Sequence, residues 1–239
     1  MIYTGISIDQ ACSKFVSRIQ DLNPSVDTEL IGRAFRFSWE AHRDQVRKSG
    51  EPFLAHPVAV SLILAEQRLD SVTLAAGLLH DVLEDTQVVH DTLAAEFGEE
   101  IALLVDGVTK IRTFQIQSHR ERQAETYRKM LLSMARDLRV IIIKFADRLH
   151  NLRTLKYLNP DRITAVARET LDIYAPLAHR LGMARIKWEL EDLAFKHLHP
   201  KEYKNLISRV VASRHEREAI IESFETPLRR QLEEEHIQA

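Results

Sequence analysis

The fold class depends on residues 140–155, which read V-I-I-I-K-F-A-D-R-L-H-N-L-R-T-L. The β-branched run that opens this stretch has the intrinsic preference of a buried strand. Apolar residues nevertheless recur beyond it at helical spacing, at Phe145, Ala146, Leu149, Leu152 and Leu155. Because this pattern is too long for a strand, the stretch predicts a buried helix, and Asp147 lies within it.

The rest of the chain also favours an all-α fold. Seven glycines and seven prolines among 239 residues are few for an all-β protein, and most apolar residues are spaced by three and four positions. Pro176 lies inside one helical pattern and should kink or split that helix. The predicted helices are 7–22, 27–48, 57–68, 71–85, 90–97, 99–111, 121–135, 138–157, 161–180, 183–198 and 201–237.

The composition argues against several classes of protein. The lone Cys12 cannot form an intramolecular disulfide, which fits a reducing compartment. The net charge of −2 provides no overall attraction to nucleic acid or to a membrane. No apolar run approaches the roughly 20 residues that cross a bilayer, and the amino terminus lacks the pattern of a secretory signal. We therefore predict a cytoplasmic protein with no nucleic-acid or membrane partner.

A second stretch, residues 77–86, reads G-L-L-H-D-V-L-E-D-T and places ionisable groups among apolar ones. Burying such groups is unfavourable unless they are paired, hydrogen-bonded or bound to a metal. On a continuous helix, at about 100° per residue, the four ionisable groups share one arc: His80, Asp81, Glu84 and Asp85. Gly77 lies one turn before them, where its missing side chain either leaves space for a ligand or permits close helix packing.

Two more ionisable residues stand beside long apolar stretches, His56 in F-L-A-H-P and Asp147. With His80 and Asp81 they form a mixed nitrogen and oxygen set that suits Mn²⁺, Fe²⁺ or Zn²⁺. An octahedral ion with four protein ligands keeps two positions for water and a substrate oxygen, whereas a closed tetrahedral site would be structural. The two surplus carboxylates of the 77–86 stretch either handle a proton or hydrogen-bond to the ligands.

Five motifs of the chain together carry a family resemblance. They are R-K-S-G-E-P-F-L-A-H-P, G-L-L-H-D-V-L-E-D-T, F-G-E-E-I-A-L-L-V-D-G-V-T-K-I, I-I-I-K-F-A-D-R-L-H-N-L-R-T-L and Y-A-P-L-A-H-R-L-G-M-A-R-I-K-W-E-L-E-D-L-A-F. In order and spacing they resemble the hydrolase domain of the RelA/SpoT homologue family, whose members make and break the guanosine alarmones ppGpp and pppGpp. The resemblance covers residues 27–200.

The resemblance implies an HD-superfamily helical bundle and a hydrolase that uses one Mn²⁺ ion. In the stringent response, such an enzyme removes pyrophosphate from the 3′ position, converting ppGpp to GDP and pppGpp to GTP. The metal ligands implied by the resemblance are His56, His80, Asp81 and Asp147. The family's catalytic carboxylate pair falls on Glu84 and Asp85.

Nucleotide recognition in the family maps onto five residues: Arg47, Lys48, Ser49, Asn151 and Thr154. Arg47 can stack on a base or pair with phosphate, Lys48 can meet phosphate, and Ser49 can hydrogen-bond the base. Asn151 and Thr154 lie four and seven residues after Asp147 and share its helical face. From spacing alone the basic pair would be a solvated helix end, and the resemblance favours substrate binding instead.

Two other features receive structural interpretations. We predict that His150 is a hydrogen-bonded structural histidine rather than a fifth ligand. The polar segment 113–122 is either a surface connection or a loop that covers the site.

The resemblance also predicts the organisation of the chain. Residues 1–198 form the hydrolase domain, and residues 199–239 form a helical extension leading towards a synthetase domain of a longer parent chain. A naturally short protein is the alternative. Two alternative functions remain at this point: a regulatory alarmone-binding domain with low turnover, and a broader HD-type nucleotide phosphohydrolase.

Overall fold

The computed structural model describes residues 7–112 and 136–210, together with the isolated positions 128, 130 and 132. Within these ranges the regular elements are helical, apart from a single antiparallel bridge between Val46 and Pro52. This confirms the predicted all-α fold. The predicted segment 113–122, most of the predicted helix 121–135, and the part of the predicted helix 201–237 beyond residue 210 lie outside the described residues.

The helices follow one another along the chain as α1 (Ile8–Leu22), α2 (Thr28–Ala41), α3 (Ala55–Glu66), α4 (Ser71–Leu79), α5 (Val82–Asp85), α6 (His90–Phe97), α7 (Glu99–Arg112), α8 (Leu138–Arg153), α9 (Pro160–Glu169), α10 (Ala175–Arg180) and α11 (Ala184–Leu198). A 3₁₀ turn, Leu155–Tyr157, follows α8. The chain divides into two compact units, Met1–Ala194 and Phe195–Ala239, and residues 200–210 of the second unit are helical. In the described part of the chain, no helix combines the length and apolarity needed to cross a membrane.

Residues 140–153 of the stretch on which the fold class depends lie in the buried helix α8, as predicted. Asp137 caps its first turn by accepting a hydrogen bond from the backbone N–H of Arg139 at 2.8 Å. The side chains of Ile141, Ile143 and Phe145 are fully buried. Burying such side chains contributes roughly 1.5–3 kcal/mol each, which outweighs the small strand preference of the β-branched run. Packing therefore sets the conformation of this stretch.

Close packing between α3 and α4 explains Gly77. A Cβ at this position would lie 2.5 Å from Cδ1 of Leu64 and 3.8 Å from the Cα atom of Ser61. The missing side chain thus allows the two helices to approach, and the alternative of space for a ligand is wrong. Helix α4 also packs against α2 and α7, and α3 packs against α8, so α3 and α4 lie among the other helices of the first unit.

The predicted helix 27–48 is wrong over its last seven residues, because α2 ends at Ala41. The chain then forms a loop that is closed by its own backbone hydrogen bonds, from the N–H of Arg47 to the carbonyl of Glu51 and from the N–H of Phe53 to the carbonyl of Gln45. Gly50 takes a φ of 80° in the turn, a conformation that favours glycine. The R-K-S segment therefore lies in a turn rather than on a helix end.

The predicted continuous helix 71–85 is also wrong. Helix α4 ends at Leu79, and α5 starts at Val82, so His80 and Asp81 lie in the junction. The carbonyl of Gly77 would bond the N–H of residue 81 in a continuous helix, and here it accepts a hydrogen bond from His80 Nδ1 at 2.8 Å. The side chain thus competes for the backbone acceptor where the helix is interrupted.

The predicted helix 161–180 is interrupted by a π-helical turn, Thr170–Tyr174. Pro176 follows directly, and a proline removes a backbone donor and crowds the preceding turn. The predicted distortion at this proline is therefore confirmed. Arg148 of α8 lies against the turn, with its guanidinium 4.0 Å from the centre of the Tyr174 ring.

Candidate metal centre

Four side chains predicted as ligands meet in the interior of the first unit. His56 lies in the first turn of α3, His80 and Asp81 lie between α4 and α5, and Asp147 lies in α8. All four are buried, and the ligand atoms of His56, His80 and Asp147 lie within 4.8 Å of one another. The structure therefore brings together residues from three separate parts of the chain.

The distances within this cluster are close to hydrogen-bond lengths. His56 Nε2 lies 3.2 Å from Asp147 Oδ1 and 3.2 Å from His80 Nε2. The Asp81 carboxylate adjoins both imidazoles, at 3.5 Å from His56 Nε2 and 3.2 Å from His80 Nε2. Two imidazole nitrogens and two carboxylates therefore face one point.

The surroundings of the two histidines suit metal binding. Burial lowers the pKa of His56, so its neutral form is favoured. In a neutral His80, donation from Nδ1 to the carbonyl of Gly77 leaves a lone pair on Nε2. Neutral imidazole is the form that binds a metal, and its other nitrogen commonly donates to a carbonyl.

Asp147 is held in its ionised form by neighbours on α8. Burial opposes ionisation, but the Lys144 ammonium, 2.9 Å from Oδ2, holds the pKa of Asp147 well below its usual range. The Asn151 side-chain amide also donates to Oδ1. Lys144 is itself buried. Lys144 was not among the predicted site residues, although a lysine one turn before Asp147 in a buried run is a visible signal.

His150 behaves as predicted, as a structural histidine. Its Nδ1 lies 2.7 Å from Nδ1 of His56, so one of the two rings donates to the other. Burial lowers the pKa of His150 to about 3, and the nearby His56 and Arg47 add to the shift. A neutral His150 can therefore accept a hydrogen bond from the Nδ1–H of His56, which leaves His56 Nε2 with its lone pair towards the cluster.

This donor set fits a divalent cation. Bonds of ~2.1 Å place adjacent ligands at right angles ~3 Å apart, which is close to the 3.2 Å between the two Nε2 atoms. Without an ion, acceptor lone pairs and carboxylate charges face each other in a buried space, where they repel. The residues that would hold the ion are His56, His80, Asp81 and Asp147.

The predicted catalytic carboxylates lie on α5, directly after the ligand pair. The backbone N–H groups of Glu84 and Asp85 donate to the carbonyl of Asp81 at 3.2 and 2.9 Å. Glu84 is exposed and Asp85 is half-buried, so solvent can reach both side chains.

The predicted nucleotide-binding residues occupy two places. In the turn after α2, Ser49 donates to Glu51 at 3.1 Å, Lys48 is exposed, and Arg47 is near enough to His150 to affect its pKa. In α8, Asn151 reaches Asp147. Thr154 does not point its donor at the cluster, because its hydroxyl donates to the carbonyl of His150 at 3.0 Å.

Comparisons with known proteins agree with this geometry. The HD-domain family matches residues 34–184. A guanosine-3′,5′-bis(diphosphate) 3′-pyrophosphohydrolase of Vibrio cholerae is 49% identical over 206 residues, which cover 86% of this chain and 29% of the relative. The bifunctional (p)ppGpp synthase/hydrolase SpoT of Escherichia coli is 45% identical over 216 residues, 90% of this chain and 31% of the relative.

A solved structure is also similar. It is that of a metazoan orthologue of SpoT that hydrolyses ppGpp and plays a role in starvation responses. The match has a TM-score of 0.53 and 25% sequence identity, and it covers 70% of this chain and 93% of that one. By contrast, the chain spans less than a third of the length of the two bacterial relatives.

Proposed function

Because the chain belongs to the HD-domain family, and within it to the hydrolase domains of the RelA/SpoT homologues, we propose that it is a Mn²⁺-dependent guanosine-3′,5′-bis(diphosphate) 3′-pyrophosphohydrolase. It hydrolyses ppGpp to GDP and pppGpp to GTP, with release of pyrophosphate. The buried cluster of two imidazoles and two carboxylates carries this proposal, because its lone pairs and charges call for a cation.

The ligands and the carboxylates of α5 have separate tasks in this proposal. His56, His80, Asp81 and Asp147 hold one Mn²⁺ ion. When bound, the ion supplies Lewis acidity for the phosphoryl oxygens and lowers the pKa of water. Glu84 and Asp85 orient a water molecule and take its proton as it attacks the phosphorus attached to the 3′ oxygen. The ester bond breaks and the 3′ oxygen leaves with the nucleotide.

The nucleotide-binding residues in this proposal are those that the family resemblance assigns. Arg47 and Lys48 bind the phosphates or the base from the turn after α2, and Ser49 hydrogen-bonds the base. Asn151 acts beside Asp147, and Thr154 accepts a hydrogen bond through its oxygen lone pairs because its O–H donates to the carbonyl of His150.

The organisation of the parent protein is part of the same proposal. Residues 1–198 form the hydrolase domain, and residues 199–239 lead towards a synthetase domain. The support is that the Escherichia coli relative is named as bifunctional and is about three times longer than the matched region. The reaction takes place in the cytoplasm, in the stringent response, as the sequence predicts.

The first experiment is a product assay. Metal-stripped protein is incubated with ppGpp, with and without Mn²⁺, alongside Asp81→Asn and Glu84→Gln variants. We expect GDP and pyrophosphate only with Mn²⁺, and loss of turnover in both variants, with Mn²⁺ binding lost only in Asp81→Asn.

The other outcomes are equally informative. A folded protein that binds ppGpp without turnover would favour a regulatory binding domain. Comparable cleavage of dNTPs would favour a broader nucleotide phosphohydrolase. Neither binding nor turnover of ppGpp would refute the proposal.

A further inference from the structure

The loop between α2 and α3 reaches α5 through a chain of two side chains. His42 is buried and stacks on Phe53, with ring centres 4.4 Å apart. Its Nδ1 lies 2.8 Å from Oε1 of Gln45. The Gln45 amide nitrogen in turn donates to the backbone carbonyl of Asp85 at 2.6 Å. A side-chain connection therefore runs from the loop to the end of α5.

The direction of these hydrogen bonds is fixed. A carbonyl can only accept, so the Gln45 amide must present its nitrogen to Asp85 and its oxygen to His42. His42 consequently carries its proton on Nδ1, and burial, which lowers the pKa of this histidine, keeps the ring neutral. Its Nε2 has no hydrogen-bond partner among the described residues. The ring is therefore oriented by Gln45 and by the stack on Phe53.

Helix α5 depends on contacts of this kind because it is only four residues long. A single turn is not stable without support from the rest of the protein. Two carbonyls of α5 have side-chain donors: the Thr86 hydroxyl donates to the carbonyl of Val82 at 2.7 Å, and the Gln45 amide donates to that of Asp85. Thr86 is a local donor, whereas Gln45 lies 40 residues before Asp85 in the sequence.

We propose that Gln45 is a positioning residue that fixes α5, and with it the carboxylates of Glu84 and Asp85, relative to the metal cluster. His42 holds the Gln45 amide in the required orientation. This inference rests on the proposed function in one respect, the role of the two carboxylates in hydrolysis.

The loop itself does not depend on the Gln45 side chain. Its backbone hydrogen bonds, from Arg47 to Glu51, from Gly50 to Arg47 and from Phe53 to Gln45, involve main-chain atoms alone. Removing the side chain should therefore leave the R-K-S turn and the metal ligands in place. The expected signature is a lower kcat with an unchanged KM.

The test uses the full chain with Gln45→Met, which keeps the side-chain length and removes both hydrogen bonds. We expect kcat for ppGpp to fall roughly ten-fold, while KM and Mn²⁺ affinity stay within about two-fold. Gln45→Glu keeps the acceptor for His42 but cannot donate to Asp85 when ionised, and it should lose as much activity. Gln67→Met, at the half-buried cap of α3, is the matched control and should retain wild-type kinetics.

A double-mutant cycle tests the role of His42. His42→Phe keeps an aromatic ring for the stack on Phe53 and loses the hydrogen bond, so we expect a smaller loss of kcat than in Gln45→Met. If His42 acts through Gln45, the double variant should be no slower than Gln45→Met alone. Additive losses would overturn this part of the inference.

Hydrogen exchange supplies a readout that does not require activity. The Glu84 and Asp85 amides should exchange about ten-fold faster in Gln45→Met, with α8 unaffected. If Gln45→Met exchanges faster but the wild-type protein does not hydrolyse ppGpp, the proposed function is refuted and the positioning role of Gln45 is retained. Unchanged exchange, or an active wild type with unchanged kcat in Gln45→Met, would overturn the inference.

Discussion

Replacing Lys144 with methionine should destabilise the metal-free protein strongly. The Lys144 ammonium lies 2.9 Å from Asp147, and both side chains are at least 93% buried. Methionine keeps much of the apolar volume but leaves the Asp147 carboxylate without its nearest cation. Removing one partner of a buried ion pair costs about 3–5 kcal/mol, because the remaining charge is not compensated. For a unit of this size, that loss corresponds to a fall in Tm of about 6–20 °C.

Urea unfolding at pH 7 in the presence of a chelator measures this loss. Lys110→Met is the matched control, since Lys110 also pairs with an aspartate one turn away, Asp106, but its side chain is 65% exposed. Exposed pairs contribute about 0–1 kcal/mol. If Lys144→Met costs no more than Lys110→Met, the buried ammonium does not hold the charge of Asp147, and the reasoning is refuted. Saturating Mn²⁺ should reduce the difference in the free energy of unfolding between Lys144→Met and the wild type.

Three other predictions concern the same interior. Mn²⁺ at a hundred times its Kd should stabilise the metal-stripped protein by about 2.7 kcal/mol; Asp81→Asn should abolish this gain in a thermal melt, and the exposed Asp91→Asn should keep it. His150 has a folded pKa of about 3 against an ordinary 6.5, so the unfolded chain binds more protons below pH 6.5 and stability falls as the pH falls. Between pH 7 and 5, the free energy of unfolding of metal-free His150→Gln, measured with urea, should fall by roughly 2 kcal/mol less than that of the wild type. An equal fall would contradict the lowered pKa of His150. Gly77→Ala should cost about 1–3 kcal/mol through its clash with Leu64, and Leu64→Ala should relieve part of it; strictly additive losses in a double-mutant cycle would exclude that clash.

The sequence was sufficient to predict the fold class and to single out four ionisable residues that the structure brings together. Apolar spacing over many turns distinguishes a buried helix from a strand even in a β-branched run, and α8 confirms this. His56, His80, Asp81 and Asp147 were recognisable because ionisable groups among apolar neighbours require compensation.

The features that were missed depend on contacts between distant parts of the chain. The interruption at His80 arises because its side chain bonds a backbone carbonyl, which helical periodicity does not encode. Gln45 and His42 appear as ordinary polar residues in the sequence, and their relation to Asp85 exists only once the loop folds onto α5. The end of α2 was missed because the polar residues after Ala41 fit an exposed helix face as well as a turn.

The spacing of the four ligands along the chain has a further consequence. His56 lies 24 residues before His80, and Asp147 lies 66 residues after Asp81. An ion held by all four would act as a reversible cross-link that closes two loops, in the way that a disulfide restricts an unfolded chain. A backbone cut by a protease between Asp81 and Asp147 would then leave two fragments fastened together by the ion, and a chelator would weaken their association.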